Sequence, residues 1–302
     1  MMGAPHPIPY QGSKRGIADK ILDCFPEDVN RVVEPFAGSA ALSISAAFHK
    51  KAKRFLLNDR NEPLMRLWDE IINKPDKIAD AYEKLWKSQK GRERSFFNEV
   101  RDEFNKNHEP HLFLFLLARI VKGAIRYNRI GKFNQSPDNR RKGRHPDLMK
   151  HDIVCTSRLL KGRTELFALD YTEILAKVDK SDIVYMDPPY QGVCGQHDKR
   201  YLKGVEFRQF VKDLEVLNQK EISFIVSYDG FTGEKKHGKF LPDKLGLTHI
   251  MLNAGRSTQA TLLGQKANTI ESLYLSPALV SRLRKDKAKS HKAFIMQMPL
   301  MS

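Results

Sequence analysis

Cysteine is scarce in this sequence, and its scarcity excludes two kinds of protein. Only Cys24, Cys155 and Cys194 occur in 302 residues, and none of them forms a C-x-x-C pair. A disulfide framework or a cysteine-rich zinc site would need more cysteines at short spacing. We therefore expect a protein of a reducing compartment with no bound metal.

Long apolar runs are absent as well. The most apolar stretch is confined to residues 112–117, whereas a membrane-spanning helix needs roughly 20 residues. The first residues of the chain also lack the basic-then-apolar pattern of a signal peptide. These absences predict a cytoplasmic protein with no membrane partner.

Acidic residues are too few to balance the basic ones. The chain has 52 Lys and Arg against 36 Asp and Glu, which gives a formal net charge of +16. An excess of this size favours a polyanionic partner, nucleic acid first and an anionic membrane surface second. The apolar fraction of 41% is ordinary for a globular chain, and this length suffices for a large buried core.

Residues 187–190, with the sequence DPPY, form the strongest motif in the chain. They follow a short apolar run that is typical of a buried strand. Pro188 and Pro189 have a fixed φ and no backbone N–H, so the strand must end there. The corner presents the Asp187 carboxylate, backbone carbonyls and the Tyr190 ring at an edge of the sheet where ligands bind. This set suits a flat heterocycle with an amino group, and a simple capped turn is the alternative.

Two earlier segments have the pattern of a cofactor site. A short strand, residues 31–34, is followed by a loop of small residues and then a helix through Phe48. Small residues let the backbone approach a nucleotide-type ligand, but the loop is neither G-x-G-x-x-G nor a P-loop. The next apolar run ends at Asn58-Asp59, where a carboxylate is placed to hold two ribose hydroxyls. Taken alone, Asp59 would more often be a helix N-cap.

A third segment begins at Tyr10 and reads YQGSK. Gly12 allows close backbone approach, Ser13 can cap a helix, and Lys14 beside a helix N-terminus attracts a negative group. The alternative interpretation is an ordinary capped helix on the surface.

The middle of the chain has helical periodicity, with apolar faces in residues 64–72 and 96–104 and an apolar run from 112 to 121. Spacings of three and four predict that this last helix continues as a basic stripe formed by Arg119, Lys122, Arg126 and Arg129. Gly131 ends the predicted helix, and the loop that follows, to Arg144, mixes basic residues with amides and an aromatic ring. Such a mixture supplies phosphate and base-edge contacts and predicts nucleic-acid binding, although charge runs are often only solvated.

Strand patterns resume after residue 150. The predicted strands are residues 165–169, 182–186, 222–227, 248–252 and 270–275, with a helix from Phe207 to Leu217. Because strands and helices alternate on both sides of the helical segment, we expect a mostly parallel sheet. Its carboxyl edge would gather the 36–39 loop, Asp59, Asp170 and Asp187 into one crevice. The basic tail, residues 282–292, fits either a solvated helix or a DNA contact.

Together these motifs resemble the Dam-like, alpha-group DNA adenine N6-methyltransferases, and they occur in that family's order over most of the chain. The family's Tyr/Trp-x-Gly-x-Lys segment is matched by residues 10–14 and its E-P-F-x-G loop by residues 34–38. Its R-x-N-x-x-G-x-F-N segment is matched by residues 126–134. Its ribose-binding acid, its Asp-aromatic pair and its D-P-P-Y motif are matched by Asp59, Asp170-Tyr171 and residues 187–190. One departure lies at Gly38-Ser39-Ala40, where relatives commonly have another glycine.

The resemblance implies an α/β fold, a Rossmann-like class I methyltransferase sheet formed by residues 1–62 and 150–302, with a helical target-recognition insertion at 63–149. It implies S-adenosyl-L-methionine as methyl donor and a flipped adenine in double-stranded DNA as acceptor. The implied catalytic residues are Asp187, Pro188, Pro189 and Tyr190. The implied cofactor-binding residues are Tyr10, Gly12, Ser13, Lys14, Glu34, Pro35, Phe36, Ala37, Gly38, Ser39, Asn58, Asp59, Asp170, Tyr171 and Asp187. The implied DNA contacts are Arg119, Lys122, Arg126, Asn128, Arg129, Lys132, Phe133, Asn134, Arg140, Arg141, Lys142 and Arg144.

Alternatives from other classes stay open at this point. Related motifs occur in enzymes that methylate cytosine N4 or guanine N2 of RNA, and a DNA-binding protein could keep the fold without catalysis. The presence of Lys14, Asp59 and Asp187 argues against the latter, and the absence of a Pro-Cys pair argues against cytosine C5 methylation. We expect a monomeric, nucleoid-associated enzyme of a bacterial, archaeal or phage-infected cell, with any cognate restriction endonuclease not physically bound.

Overall fold

A computed structural model of the chain describes residues 3–189, 205–232, 235–237, 240–256 and 268–289. Its described residues form an eight-stranded sheet with the order β3-β2-β1-β4-β5-β8-β7, and β6 pairs with β5 off this path. The strands are β1 (Arg31–Glu34), β2 (Arg54–Asn58), β3 (Thr164–Phe167), β4 (Asp182–Met186), β5 (Ser223–Thr232), β6 (Lys235–His237), β7 (Thr248–Arg256) and β8 (Asn268–Leu275).

Parallel pairing places the strand ends that matter at one edge. Strands β3, β2, β1, β4 and β5 are parallel neighbours, whereas β8 runs antiparallel to both β5 and β7. The chain leaves β1 toward β2 on one side and returns to β4 on the other, so the strand order reverses between β1 and β4. Ligands bind at such reversal points in open α/β sheets. The predicted, mostly parallel sheet is confirmed.

Helices cover both faces of the sheet. They are α1 (Ala18–Leu22), α2 (Ala41–Phe48), α3 (Glu62–Asn73), α4 (Pro75–Ser88), α5 (Glu93–Asn107), α6 (Pro110–Arg119), α7 (Pro146–Leu160), α8 (Tyr171–Leu175), α9 (Phe207–Gln219) and α10 (Pro277–Lys289). One apolar cluster joins Val32 and Phe55 of the sheet to helices α1 to α7, and a second joins Val33 and Val184 to α8 and α9. All five residues of β4 are buried, as expected for a parallel strand covered on both faces. None of the helices in the described ranges is both long enough and apolar enough to cross a bilayer.

Aromatic side chains hold the helical layer together. Phe104 of α5 stacks on Phe113 of α6 with ring centroids 4.8 Å apart, and Phe133 meets both rings edge-on. Trp68 of α3 is fully buried in the same cluster. Because this cluster continues into the sheet, the helices of the layer share one core with it, and the predicted division at residues 63 and 149 stays a prediction.

The helix that contains Leu112 to Leu117 ends at Arg119, and the predicted basic helical stripe beyond it is wrong. Ile120 is extended, and the chain then forms antiparallel bridges, Ile120 with Pro137 and Tyr127 with Phe133. We call residues 124–134 the recognition hairpin. The basic residues Arg126 and Arg129 are therefore spaced as in a helix, but they lie in a hairpin.

Gly123 explains where the helix prediction fails. Its φ is +63°, and a Cβ at this position would lie 2.2 Å from the Pro9 carbonyl oxygen. Gln11 donates its N–H to the Gly123 carbonyl at 3.3 Å. Only glycine permits both the left-handed backbone and this close approach to the N-terminal segment.

Strand β5 is longer than predicted, since it continues to Thr232, past the predicted end at Ser227. Helix α7 occupies residues for which no strand or helix was predicted, because Pro146 starts a helix and His145 accepts a bond from the Asp147 N–H. The basic tail, predicted as a solvated helix or a DNA contact, is helical as far as Lys289, and its last residues lie outside the described residues.

We predict that Gly123→Ala destabilises the fold more than Gly131→Ala does. Both glycines have positive φ, but a Cβ at Gly131 meets nothing within 4 Å. Both substitutions incur the left-handed backbone penalty of about 1–2 kcal/mol, and Gly123→Ala adds a steric clash of about 1–3 kcal/mol. Urea unfolding of the two variants measures the difference, and equal losses would show that the contact with Pro9 is not constraining.

Candidate functional site

A cavity of about 520 Å³ opens at the carboxyl edge of the sheet, between β1 and β4. This volume lies within the range of small-molecule sites. Among the described residues predicted to be catalytic or to bind a cofactor, all but Asn58 line it: Tyr10, Gly12, Ser13, Lys14, Glu34, Pro35, Phe36, Ala37, Gly38, Ser39, Asp59, Asp170, Tyr171, Asp187, Pro188 and Pro189. Three separate sequence motifs therefore meet in one place. Tyr190 and Cys194 lie outside the described residues.

Gly38, in the loop between β1 and α2, is held in place by contacts with neighbouring segments. Its φ is +48°, and a Cβ would lie 2.8 Å from the Tyr10 ring. Its N–H donates to Asp59 Oδ2 at 3.1 Å, and its carbonyl accepts from the Trp68 indole at 2.9 Å. Ala40, in the same loop, also has a left-handed φ of +47°. The loop is therefore held from three directions with its backbone close to the cavity.

Asp59 stands at the end of β2 and braces two backbone segments. Besides the Gly38 N–H, it accepts the Asn61 N–H through Oδ1 at 2.9 Å. Burial raises the pKa of its carboxyl, and these two N–H donors act in the opposite direction. We call residues 35–40, between β1 and α2, the glycine loop. The Asp59 carboxylate both shapes this loop and lines the cavity, which a simple N-cap would not do.

Asn58 takes a role that its sequence position did not indicate. Its amide group is buried and bridges three strand ends: it donates to the carbonyls of Pro35 and Leu169 and accepts the Leu169 N–H. The role of Asn58 in cofactor binding stays a prediction, although its side chain does not line the cavity itself. Asn58 fixes the loops that do.

Aromatic rings form one wall of the cavity. Phe36 and Tyr171 lie with centroids 5.1 Å apart, and the Tyr171 hydroxyl donates to Asp213 at 2.5 Å. Asp170 caps α8 by accepting the Thr172 N–H, and Glu173 completes a capping box. The wall is therefore an apolar surface of two rings tilted by 33° to each other, held by the capped helix and by the loop after β1.

The N-terminal segment contributes a cation to the cavity floor. The Lys14 side chain is only 8% exposed, and its ammonium lies 3.3 Å from Asp187 Oδ1 and 3.1 Å from Glu271 Oε2. Ser13 makes no side-chain cap, contrary to the prediction; its hydroxyl instead accepts from Ser39 at 2.7 Å. The structure thus connects the first motif directly to the DPPY motif and to β8.

Glu34, at the end of β1, is buried and accepts the Ser43 N–H at 2.8 Å. This bond caps the N-terminus of α2, whose own N-cap position is Ala40. Burial raises the pKa of Glu34 to about 7, with a smaller contribution from the charge of Asp187 and an opposing one from Ser43. Glu34 therefore holds the helix that follows the loop in addition to lining the cavity.

The predicted DNA contacts fall into two groups. Arg119 and Phe133 are buried, and Arg119 donates to the Glu93 carbonyl. As DNA contacts these two side chains stay predictions, and their burial indicates a role in holding the hairpin rather than in touching a ligand. Asn128 is partly buried and shapes the hairpin turn by accepting the N–H groups of Ile130 and Lys132. The side chain of Lys122 lies outside the described residues.

The remaining predicted contacts are on the surface. Arg144 is half-buried and pairs with Asp152 at 2.9 Å. The other predicted contacts are exposed side chains: Arg126, Arg129, Lys132, Asn134, Arg140, Arg141 and Lys142. The recognition hairpin that carries the first four runs directly from the cavity, because Ile125 and Tyr127 line it.

Sequence reasoning missed several residues of the site. Glu271 carried only a weak signal, a single acid within an apolar strand. Trp68 was predicted only as part of an apolar helix face, and its bond to the Gly38 carbonyl was not foreseen. Tyr127 was predicted only as part of a basic segment, and its place in the cavity wall was not foreseen. Gly123 did carry a signal, since a glycine inside a helical pattern marks a break or a close approach.

Comparison with known proteins places these features in a family. The model of the D12 class N6 adenine-specific DNA methyltransferases matches residues 10–286. The chain is 27% identical over 270 residues to the retron Ec67 DNA adenine methylase of Escherichia coli, covering 84% of this chain and 88% of that protein. It is 27% identical over 188 residues to the DNA adenine methylase of Escherichia coli K12, covering 61% and 64%.

A further relative is the DNA N-6-adenine-methyltransferase of Escherichia phage P1, 26% identical over 204 residues. That alignment covers 66% of this chain but only 26% of the phage protein. The chain therefore spans about a quarter of the phage protein and slightly under two thirds of the Escherichia coli K12 methylase. Because the family model matches almost the whole chain, on a sheet that brings the family's motifs into one cavity, this chain belongs to the D12 class of N6 adenine-specific DNA methyltransferases.

Proposed function

We propose that this chain transfers a methyl group from S-adenosyl-L-methionine to the N6 amine of an adenine in double-stranded DNA. The observation that carries the proposal is the position of Asp187-Pro188 in the wall of the same cavity as the glycine loop. A hydrogen-bond acceptor for the amine and a site for the methyl donor would therefore lie within one cavity. The family model supports the same assignment.

The cavity fits S-adenosyl-L-methionine in chemistry as well as size. Asp59 offers a carboxylate to ribose hydroxyls, and the rings of Phe36 and Tyr171 offer an apolar face to an adenine ring. The backbone at Gly38 leaves no side chain between the loop and the ligand. When bound, S-adenosyl-L-methionine supplies an electrophilic methyl group on a sulfonium.

Asp187 and Pro188 would act on the acceptor. The exocyclic amine of adenine is a poor nucleophile because its lone pair is delocalised into the ring. The Asp187 carboxylate and the Pro188 carbonyl would accept its two N–H groups and so localise the lone pair toward the methyl group. Orientation and electrostatic stabilisation of this kind lower the barrier to in-line attack. Tyr190 would stack on the base taken out of the duplex.

The recognition hairpin would hold the DNA beside the cavity. Its exposed Arg126, Arg129 and Lys132 offer charges to phosphates, and Asn134 offers an amide to base edges. Because the hairpin begins at the cavity wall, DNA bound there would place a flipped base within reach of Asp187. We propose that the helical insertion, residues 63–149, serves as the target-recognition domain for this reason.

Asp59→Ala is expected to weaken binding of S-adenosyl-L-methionine about tenfold or more. The substitution removes both a ribose acceptor and the brace on the Gly38 N–H, and bonds to a charged group contribute about 1.5–3 kcal/mol. Titration calorimetry on the purified variant measures this, with Asp69→Ala on α3 as the control. An unchanged dissociation constant would reject the ribose-binding role.

Asp187→Ala is expected to lower methyl transfer by about 100-fold or more, the scale of losing one transition-state acceptor. DNA affinity should stay within about threefold, because binding rests on the basic hairpin. Labelled transfer to duplex DNA, followed by nucleoside analysis, gives both the rate and the methylated base, with Asp76→Ala as the control. Full activity in Asp187→Ala would refute the mechanism, and label on cytosine N4 or on RNA guanine N2 would favour the alternative acceptors.

Arg126→Ala is expected to weaken DNA binding and to lower the slope of log K against log salt by about 0.9, the value of one phosphate contact. Arg119→Ala is the matched control, since its buried guanidinium should affect stability and leave the slope unchanged. Fluorescence anisotropy over a range of salt concentrations measures both slopes. A drop for Arg119→Ala alone would move the DNA contact away from the hairpin.

A further inference from the structure

Glu271 contacts the proposed active site through Lys14, although it does not line the cavity itself and none of the recognised motifs contains it. Its side chain, on β8, is 18% exposed and accepts a hydrogen bond from the Lys14 ammonium at 3.1 Å. The buried Ser227 hydroxyl donates to the same Glu271 oxygen at 3.4 Å. On the other side of the ammonium lies Asp187, at 3.3 Å. Lys14 is thus shared between a carboxylate of the DPPY motif and one from the opposite, antiparallel part of the sheet.

The sheet is irregular where Glu271 projects. The pairing of β5 with β8 shifts register between Ser227 and Gly230, and Glu271 pairs with Gly230 just beyond this shift. Irregularities of this type re-aim side chains beside active sites. The local backbone therefore supports the direction of the Glu271 carboxylate toward Lys14.

The charges of the three groups explain what Glu271 would contribute. One ammonium between two carboxylates leaves a net charge of −1. Methyl transfer moves positive charge from the donor sulfur to the acceptor nitrogen, and negative charge beside that nitrogen stabilises the change. Without Glu271 the pair of Lys14 and Asp187 would be neutral. Lys14 would then turn its N–H groups onto the oxygens that the target amine must use.

We infer that Glu271 is a positioning residue of the methyl-transfer site: it holds the Lys14 ammonium so that Asp187 keeps its charge and its acceptor capacity for the substrate amine. The inference rests on the proposed function, because it assigns a role within that reaction. It adds a residue from the antiparallel strand β8 to a site whose other carboxylates follow parallel strands.

The test is single-turnover methyl transfer at saturating S-adenosyl-L-methionine and DNA. Glu271→Gln keeps the shape but removes the charge, and the expected loss of rate is tenfold or more, with both dissociation constants within twofold. Glu271→Asp, which keeps the charge, should retain at least threefold more rate than Glu271→Gln. Glu70→Gln is the matched control. Glu70 lies on α3 outside the cavity and pairs with Lys74, which follows α3, and with Lys77 of α4.

A double-variant cycle separates positioning from general support of the fold. If Glu271 acts through Lys14, Glu271→Gln should have no further effect in a Lys14→Met background, within twofold. Losses that multiply would overturn the inference, as would an unchanged rate in Glu271→Gln or a large loss of S-adenosyl-L-methionine affinity or melting temperature. If the unsubstituted protein transfers no label to adenine, the proposed function itself fails, and that outcome is distinct from all of these.

Discussion

The pairing of β1 with both β2 and β4 is the constraint on which the site depends. It ends three parallel strands at one edge and brings Glu34, Asp59 and Asp187 around a single cavity. Burial raises the cost of ionising carboxylates at this edge, and repulsion between neighbouring charges adds a smaller cost. The pKa of Glu34 is raised to about 7 chiefly by burial, with a smaller contribution from the charge of Asp187. Lys14 comes from outside the sheet and pairs with Asp187 at 3.3 Å.

The parallel half of this arrangement is readable from the sequence. Local sequence marks the carboxyl ends of two strands: one is followed by two prolines, and another by a loop of small residues. Neither assignment requires knowledge of which strands are neighbours. Because all parallel strands end at the same edge, their loops can be assembled before any coordinate is known. That is why the cavity contains Gly38, Asp59, Asp170 and Asp187 as predicted.

The antiparallel half is not readable in the same way. Glu271 meets Lys14 across 257 positions in the chain, and its direction depends on a register shift between β5 and β8. Shifting a strand by one residue exchanges its two faces, so spacing alone gives no reason to direct Glu271 toward Lys14. The same limit applies to Asn58, whose bonds to Pro35 and Leu169 require the loops to be in place first.

The basic segment shows how a correct composition can accompany a wrong local structure. Spacings of three, four and three fit a helix from Arg119 to Arg129, yet the helix ends at Arg119, and Gly123 then takes a left-handed φ against Pro9 that a continuing helix could not adopt. The break has a consequence for the site. Tyr127 of the resulting hairpin donates to Asn61, whose N–H donates to Asp59.

This chain of bonds ends at the glycine loop, because Asp59 also accepts the Gly38 N–H. The recognition hairpin and the loop are therefore parts of one hydrogen-bonded unit, and the Gln11–Gly123 bond ties the residue just before the hairpin to the N-terminal segment. A continuous helix after Arg119 would have carried its basic residues away from the cavity. The hairpin instead keeps the exposed Arg126 adjacent in sequence to two residues of the cavity wall, so the charge that attracts a polyanion and the pocket that would receive a base are held by the same backbone.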